Sequence, residues 1–525
     1  MGTYLNPGNE VFRRVTSADI YVDKSGLLTL TNKMINSANN YICMSRPRRF
    51  GKTIAGNMIA AYYSKGCDSK EIFDRLKISD DPDYEKYLNK YNVIKIDLNS
   101  EYQNIKDKNA LIGSIQNKVT GELIKEYPDV DFSEKDSLGE ALIKVYDSTK
   151  DTFIILIDEY DVLVREQVPQ ALFDEFLSFL NGLFKSDTLR PAISLAYITG
   201  ILPVVRDKIQ SKLNNFDEYT ILSAGRFAEY VGFTSDEVKE LCGKYGLDYE
   251  ECRSWYDGYS LNGYEIYNPE SVVKSIINRS FEGYWSKTSS YQVIAERLKY
   301  NYKGIRDDVV RMLAGESIDV NVTSFMNTMD SFITKDDVYT YLLHLGYLAY
   351  NREEGTCRIP NREVRQEWFN AVAADSDYEV TDNIIKQSKE LLNATIRGDE
   401  EAVAKALDTS HIHVASNRSY NNEDVLQSAI YLAYIYALNK YTVIREVTSG
   451  KGFADVVYIP YVPDMPALVI ELKHNKCADS AIDQIKDKKY FDSLESYTGD
   501  LLLVGINYDE KTKEHECRIE RFKKD

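Results

Sequence analysis

One run constrains this chain more than any other. Tyr41-Ile42-Cys43-Met44 is a short apolar segment, and Ser45-Arg46-Pro47-Arg48-Arg49-Phe50-Gly51-Lys52-Thr53 follows it directly. A helix-forming stretch, Ile54 to Tyr63, comes next. A strand, a tight loop closing on Gly-Lys-Thr and a helix form the layout of a phosphate-binding loop. Backbone N–H groups and the positive end of the helix cradle phosphate oxygens there. Lys52 would neutralise those oxygens and the Thr53 hydroxyl would hold Mg²⁺. The candidate nucleotide-binding residues are therefore Arg46, Pro47, Arg48, Arg49, Phe50, Gly51, Lys52 and Thr53. One position departs from GxxxxGK[ST]: Arg46 stands where the first glycine belongs.

Such a loop needs a carboxylate partner, and Phe153-Ile154-Ile155-Leu156-Ile157-Asp158-Glu159 supplies one. Five apolar residues in a row suit a central strand of a parallel sheet, covered on both faces. Asp158 and Glu159 then fall at the carboxyl edge, where open α/β sheets bind ligands. Asp158 would hold Mg²⁺, and Glu159 would orient or activate the attacking water. A buried strand ending in an acidic helix cap is the plainer alternative. The two motifs in this order, each after an apolar strand, favour an ATP site. A further strand, Ala192 to Gly200, ends in Thr199-Gly200, so Thr199 is a candidate γ-phosphate sensor or simply part of a turn. Arg206 and Arg226 are both candidates to reach a phosphate, in cis or from a neighbouring subunit, and spacing does not choose between them.

At 525 residues the chain has room for several domains of about 100–200 residues each. Its hydrophobic content of 43% provides ample core, and no apolar run is long enough to span a membrane. Seven scattered cysteines, none in a CxxC pair, suit a reducing cytoplasm. A net charge of −18 argues against a general nucleic-acid coat, although a local basic groove needs only a local cluster.

Strand–helix alternation over residues 41–222 predicts a parallel α/β sheet. Helices are expected at 104–126, 136–150 and 171–184. Asp23 and Lys24 sit in a lead-in, either beside the nucleotide site or as a plain cap on the sheet. From Thr234 the texture becomes mostly helical, broken by Trp255-Tyr256-Asp257-Gly258-Tyr259, with a small wing of strands near 348–360. His344 reads as a packing residue. The expected division is 1–233, 234–375 and 376–525.

The last part carries a second constellation. Gly452 to Tyr458 and Ala467 to Lys473 read as two strands joined by a proline-containing loop, which brings Asp455 near Glu471. Residues i and i+2 on a strand face the same way, so Glu471 and Lys473 project together. Two carboxylates offer hard oxygen ligands to Mg²⁺, and Lys473 would help position and deprotonate a water for attack on a phosphodiester. Gln484, on the following helix, and Glu423, on the preceding one, are further candidates. A surface hairpin with a Glu471–Lys473 salt bridge is the alternative.

These motifs, in this order, resemble the bacterial AAA-ATPase-like family. Arg46 to Thr53, Ile157-Asp158-Glu159-Tyr160-Asp161 and the Trp255 to Tyr259 run carry the likeness, and arginine is common in that family where Arg46 stands. Asp455, Glu471-Leu472-Lys473 and the helix with Gln484 resemble the PD-(D/E)XK nuclease domain that often ends such chains. The resemblance implies a P-loop ATPase with a parallel sheet, a mostly helical middle and a restriction-endonuclease-like α/β domain. It implies ATP and Mg²⁺ as cofactors, nucleic acid (DNA foremost) as partner, no membrane, and homo-oligomerisation where a neighbour's arginine completes a site. An ATP-gated nuclease is the leading expectation. A nucleotide-dependent switch that binds nucleic acid without cutting is the alternative.

Overall fold

The computed structural model describes the chain apart from residues 1, 204–214, 286–290, 301, 324, 326–331, 374–378, 415–429, 431–432, 450–451, 461–464, 489–498 and 523–525. The chain forms two compact units: Met1–Lys287 with Ser317–Val364, and Thr288–Glu316 with Arg365–Asp525. Among the described residues no helix is long and apolar enough to cross a membrane.

The first unit is built on a five-stranded parallel sheet. In chain order its elements are β1 (Tyr41–Ser45), α1 (Lys52–Tyr63), β2 (Asn92–Asp97), α2 (Leu111–Glu126), α3 (Leu138–Thr149), β3 (Phe153–Asp158), α4 (Val162–Arg165), α5 (Gln170–Phe184), β4 (Ile193–Gly200) and β5 (Asp217–Tyr219). The spatial order is β2-β3-β4-β1-β5, with every pairing parallel. β1, β3 and β4 are buried along their whole length, as their unbroken apolar runs require. On α2, Leu111, Ile112, Ile115, Val119 and Leu123 recur at three- and four-residue spacing and all enter the core. Each such side chain, fully buried, contributes roughly 1.5–3 kcal/mol.

The single helix expected over 104–126 is broken. A first helix stops at Asn104, Ile105 is extended, and the Asp107 carboxylate accepts the Asn109 N–H to start a 3₁₀ turn before α2. Local capping by Asp wins over helical periodicity here. α3 begins where Ser137 and Glu140 form a reciprocal capping box.

The part of this unit from Phe233 onward is a second small module. It holds β6 (Phe233–Thr234), α6 (Ser235–Tyr245), α7 (Tyr249–Tyr256), β7 (Tyr259–Leu261), β8 (Tyr264–Tyr267), α8 (Pro269–Asn278), β9 (Ile318–Asp319), α9 (Lys335–Leu345), β10 (Ala349–Asn351) and β11 (Thr356–Arg358), with α10 (Arg362–Ala373) starting at its end. The wing expected near 348–360 is the sheet β10-β11-β9. A second three-stranded sheet, β6-β8-β7, was not legible in the sequence because its strands are only two to four residues long. His344 is buried with its ring stacked 5.9 Å from Phe325.

In the second unit, α11 (Glu379–Arg397) and α12 (Glu400–Val414) precede β12 (Tyr441–Ser449), β13 (Gly452–Pro460), β14 (Ala467–His474), α13 (Ala478–Lys488), β15 (Leu501–Asp509) and β16 (Glu514–Phe522). The five strands pair in chain order, antiparallel except for β14 with β15. A parallel pair needs a crossover, and α13 provides it. Consequently β14 is covered on both faces. Leu468, Ile470 and Leu472 enter the core with α11 and α12, while Ala467 and Val469 pack with Ile482 and Ile485 of α13.

Candidate functional sites

β1 ends between β4 and β5, and the Arg46 N–H donates to the Gly200 carbonyl at 3.1 Å. From there the chain turns into α1 through two left-handed residues, Arg49 at φ 69° and Gly51 at φ 92°. A Cβ at Gly51 would have open space around it, so the need for glycine is conformational. No side chain caps α1, and the first-turn N–H groups begin at Lys52 and the exposed Thr53. An uncapped N-terminus with positive partial charge fits phosphate oxygens. Lys52 is buried and donates to the Arg46 and Pro47 carbonyls at 3.0 and 2.8 Å. Burial pushes its ammonium down to about 8, against the pull of Asp161, Asp158 and Glu159.

Arg46 explains why the first glycine is dispensable. Its guanidinium is fully buried and donates through Nη1 to the Ser45 and Tyr219 carbonyls, both at 2.9 Å. The side chain ties the end of β1 to the end of β5. Desolvation lowers its pKa to about 10.

Three other loop residues engage the small module. Pro47 lies against Gly346. Arg49 donates through Nη1 to the Tyr284 carbonyl at 2.9 Å and pairs with Glu270 at 3.1 Å. Phe50 is buried edge-on against Tyr259, with ring centroids 5.4 Å apart. Arg48 alone of the loop arginines is exposed. Behind this contact the buried Glu363 accepts the Tyr284 and Trp285 N–H groups at 2.7 Å and the Ser271 hydroxyl at 3.0 Å. Burial raises its pKa to about 7.

Because β4 lies between β1 and β3, Thr199 stands between the loop and the acidic pair, and its hydroxyl donates to Asp158. Asp158 is buried and also accepts the Glu159 N–H at 3.1 Å. Glu159 adopts φ 53°, a rare conformation for a side chain of its size. Its Oε2 accepts from Arg165 Nη2 at 2.6 Å. Asp161 is fully buried and accepts the Ile201 and Leu202 N–H groups at 3.0 and 2.9 Å. The oxygen donors Thr53, Asp158 and Glu159, with Lys52 and the uncapped helix, fit a nucleotide carrying a hard divalent cation. Arg226 is exposed, 3.5 Å from the Tyr219 hydroxyl, and Arg206 lies outside the described residues. Asp23 and Lys24 make structural bonds: Asp23 accepts the Ser25 and Lys77 N–H groups, and Lys24 pairs with Glu237 at 2.5 Å.

In the second unit Glu471 and Lys473 follow Ala467 and Val469 on the face of β14 that α13 covers. That shared face brings Gln484 of α13 to them. Glu471 Oε1 accepts from Lys473 Nζ at 2.8 Å and from Gln484 Nε2. Both charged groups are buried, Glu471 at 2% exposure and Lys473 at 7%. The β13–β14 register pairs Tyr458 with Leu468, Val457 with Val469 and Val456 with Ile470. The ladder ends there, and Asp455 and Glu471 are the next residues of the two strands. The Asp455 side chain, and the whole of Glu423, lie outside the described residues. Among the described residues no group of three or more His, Cys, Asp or Glu is placed to hold a metal ion. Among the described side chains the site holds one carboxylate, Glu471, with an amide and an ammonium donor on its Oε1.

Comparisons with known proteins find family matches to two parts of the chain. Residues 8–210 match the family model described as predicted AAA-ATPase, and residues 421–517 match that of the PD-(D/E)XK nuclease superfamily. The chain joins an AAA-ATPase-like domain to a PD-(D/E)XK nuclease domain. A protein of Azotobacter chroococcum mcd 1, described as uncharacterized and from the region 5′ of vnfD, is 22% identical over 527 residues, with 95% of each chain covered. Among solved structures, PCH-2 of C. elegans matches at 15% identity and a TM-score of 0.19, over 40% of this chain and 41% of its own. ORC2 of Aeropyrum pernix matches at 10% identity and a TM-score of 0.28, over 69% and 98%.

Within the AAA-ATPase-like domain, sequence reasoning missed Arg165, although its spacing from Asp161 and Glu159 is visible in Asp-Glu-Tyr-Asp-x-x-x-Arg. It also missed Glu363, a lone glutamate with no local signal. In the PD-(D/E)XK domain it missed β12, β15 and β16. The run Leu501 to Val504 and the alternation Glu514-His515-Glu516-Cys517-Arg518-Ile519 were the available signals for the last two.

Proposed function

We propose that this protein hydrolyses ATP in its AAA-ATPase-like domain and cleaves phosphodiester bonds, those of DNA foremost, in its PD-(D/E)XK domain, with ATP gating the cut. The observation that carries this reading is the meeting of Glu471 and Lys473, on one buried face of β14, with Gln484 of α13, one position past the last β13–β14 pair. Taking a carboxylate and an ammonium out of water is costly, and a fold keeps them where they have work.

Asp455 and Glu471 would hold Mg²⁺, which supplies charge neutralisation at the phosphodiester and a water of lowered pKa. Lys473 holds the Glu471 carboxylate in place and offers a donor toward the scissile phosphate. Gln484 fixes the same oxygen from the side of α13. In the ATPase domain Lys52 and the α1 N-terminus bind phosphate, Thr53 and Asp158 hold the nucleotide's cation, Thr199 orients Asp158, and Glu159 orients the attacking water.

The test is cleavage of circular and linear DNA with Mg²⁺, with and without ATP, beside a parallel RNA substrate. Cutting that needs Lys473 and changes with ATP in wild type but not in Glu159→Gln supports the coupled reading. Absence of cutting on either substrate, with ATP still hydrolysed, would leave a nucleotide-dependent switch in its place.

A further inference from the structure

Arg165 sits at the end of α4, seven residues past the last residue of β3, with a side chain only 10% exposed. Its guanidinium spans two carboxylates. Nη2 meets Glu159 Oε2 at 2.6 Å, and Nε meets Asp161 Oδ2 at 3.3 Å. The two carboxylates are held very differently. Asp161 is completely buried and fixed by two backbone N–H groups at the exit of β4. Glu159 is 33% exposed at its side chain and rests on a left-handed backbone turn. Backbone of that kind gathers at active sites, ligand clamps and switch regions.

Among the described arginines around the loop, two are bonded elsewhere and two are exposed. Arg46 donates to the Ser45 and Tyr219 carbonyls, Arg49 is clamped by Glu270 and Tyr284, and Arg48 and Arg226 lie at the surface. Arg165, by contrast, acts electrostatically on the Lys52 ammonium together with Asp158, Glu159 and Asp161. It is therefore in the field of the group that meets the nucleotide phosphates.

We propose that Arg165 completes the nucleotide site of its own chain. Pivoting on Asp161, its guanidinium exchanges the Glu159 carboxylate for γ-phosphate oxygens, and so frees Glu159 for the attacking water. The proposal rests on the ATPase reading above. A phosphate offers a planar guanidinium more charge and the same two-point geometry as a carboxylate, so ATP can compete for it and ADP, lacking the γ-phosphate, cannot. In the reaction the water oxygen bonds to γ-phosphorus as the bond to the β-phosphate oxygen breaks. ADP leaves with that electron pair, and the water proton passes to Glu159 and then to the released phosphate.

The experiment compares ATP turnover and ADP affinity in the full-length wild type, Arg165→Ala, Arg165→Lys and Lys52→Ala. Arg165→Ala should lower kcat about 10³-fold, the lower end for a phosphate-contacting arginine, while ADP affinity stays at the wild-type value. A kcat that is unchanged or raised would overturn the proposal, since a structural ion pair or a mere restraint predicts those results. Should Arg165→Ala fail to fold, Arg165→Lys keeps a charge beside Asp161 but loses the fork. It should bind ADP normally and lose at least about tenfold in kcat, and wild-type turnover there would overturn the proposal equally. Mixing Arg165→Ala with Lys52→Ala should restore nothing, and recovery would place the arginine across subunits instead. Lys52→Ala turning over ATP as fast as wild type would sink the ATPase reading itself, and this proposal with it.

Discussion

Gly346 closes α9 directly against Pro47 of the phosphate loop: a Cβ on the glycine would stand 2.8 Å from the proline Cβ and 2.8 Å from the Trp285 ring. Its φ of 86° is a second reason for glycine. Gly346→Ala should therefore destabilise the first unit by roughly 1–3 kcal/mol and displace the loop. A lowered melting temperature together with weaker ATP binding is the expected pair of results. A variant that melts lower but binds ATP normally would show that the loop does not depend on this contact.

Arg49 separates a phosphate-binding role from a structural one. Its pairing with Glu270 and the Tyr284 carbonyl predicts that Arg49→Ala and Glu270→Gln both lower thermal stability, each by about 1–3 kcal/mol. Fully additive losses in the Arg49→Ala/Glu270→Gln double variant would mean that the two side chains do not support each other.

Glu363 gives the first unit a pH dependence of definite sign. Its carboxyl is held up at about 7 in the fold, by burial above all, against 4.5 for an ordinary glutamate. Between those values the fold keeps a proton that the unfolded chain has released. This group's contribution to stability therefore falls as pH rises from about 4.5 to 7, on the order of 3 kcal/mol in all, and is level above that. The melting temperature of Glu363→Gln should change less across this window than that of wild type. Parallel curves would count against a neutral Glu363.

Glu471 and Lys473 should behave as one unit. Neutralising Glu471 alone strands a buried ammonium, so Glu471→Gln should cost about 3–5 kcal/mol in stability. Adding Lys473→Met should return much of that loss without returning cleavage. Lys473→Met alone should lower DNA cleavage at least about 10²-fold. Additive stability losses in the double variant would mean that the two charges do not compensate each other.

The sequence by itself determined whatever depends on neighbours along the chain. The Gly51-Lys52-Thr53 turn into α1, the apolar run ending at Asp158 and the shared face of Glu471 and Lys473 all follow from local period and backbone geometry. That is why the parallel sheet and the later hairpin could be read directly. Tertiary structure decided what depends on partners distant in sequence. It placed β4 between β1 and β3, which sets Thr199 against Asp158. It also turned Pro47, Arg49 and Phe50 toward residues some two to three hundred positions away. Arginine on a basic loop reads as a phosphate ligand until a buried carbonyl and a carboxylate are seen to hold it. The reason is physical: a strand or turn is chosen by its own residues, but a guanidinium takes its role from whichever acceptors the fold brings within 3 Å.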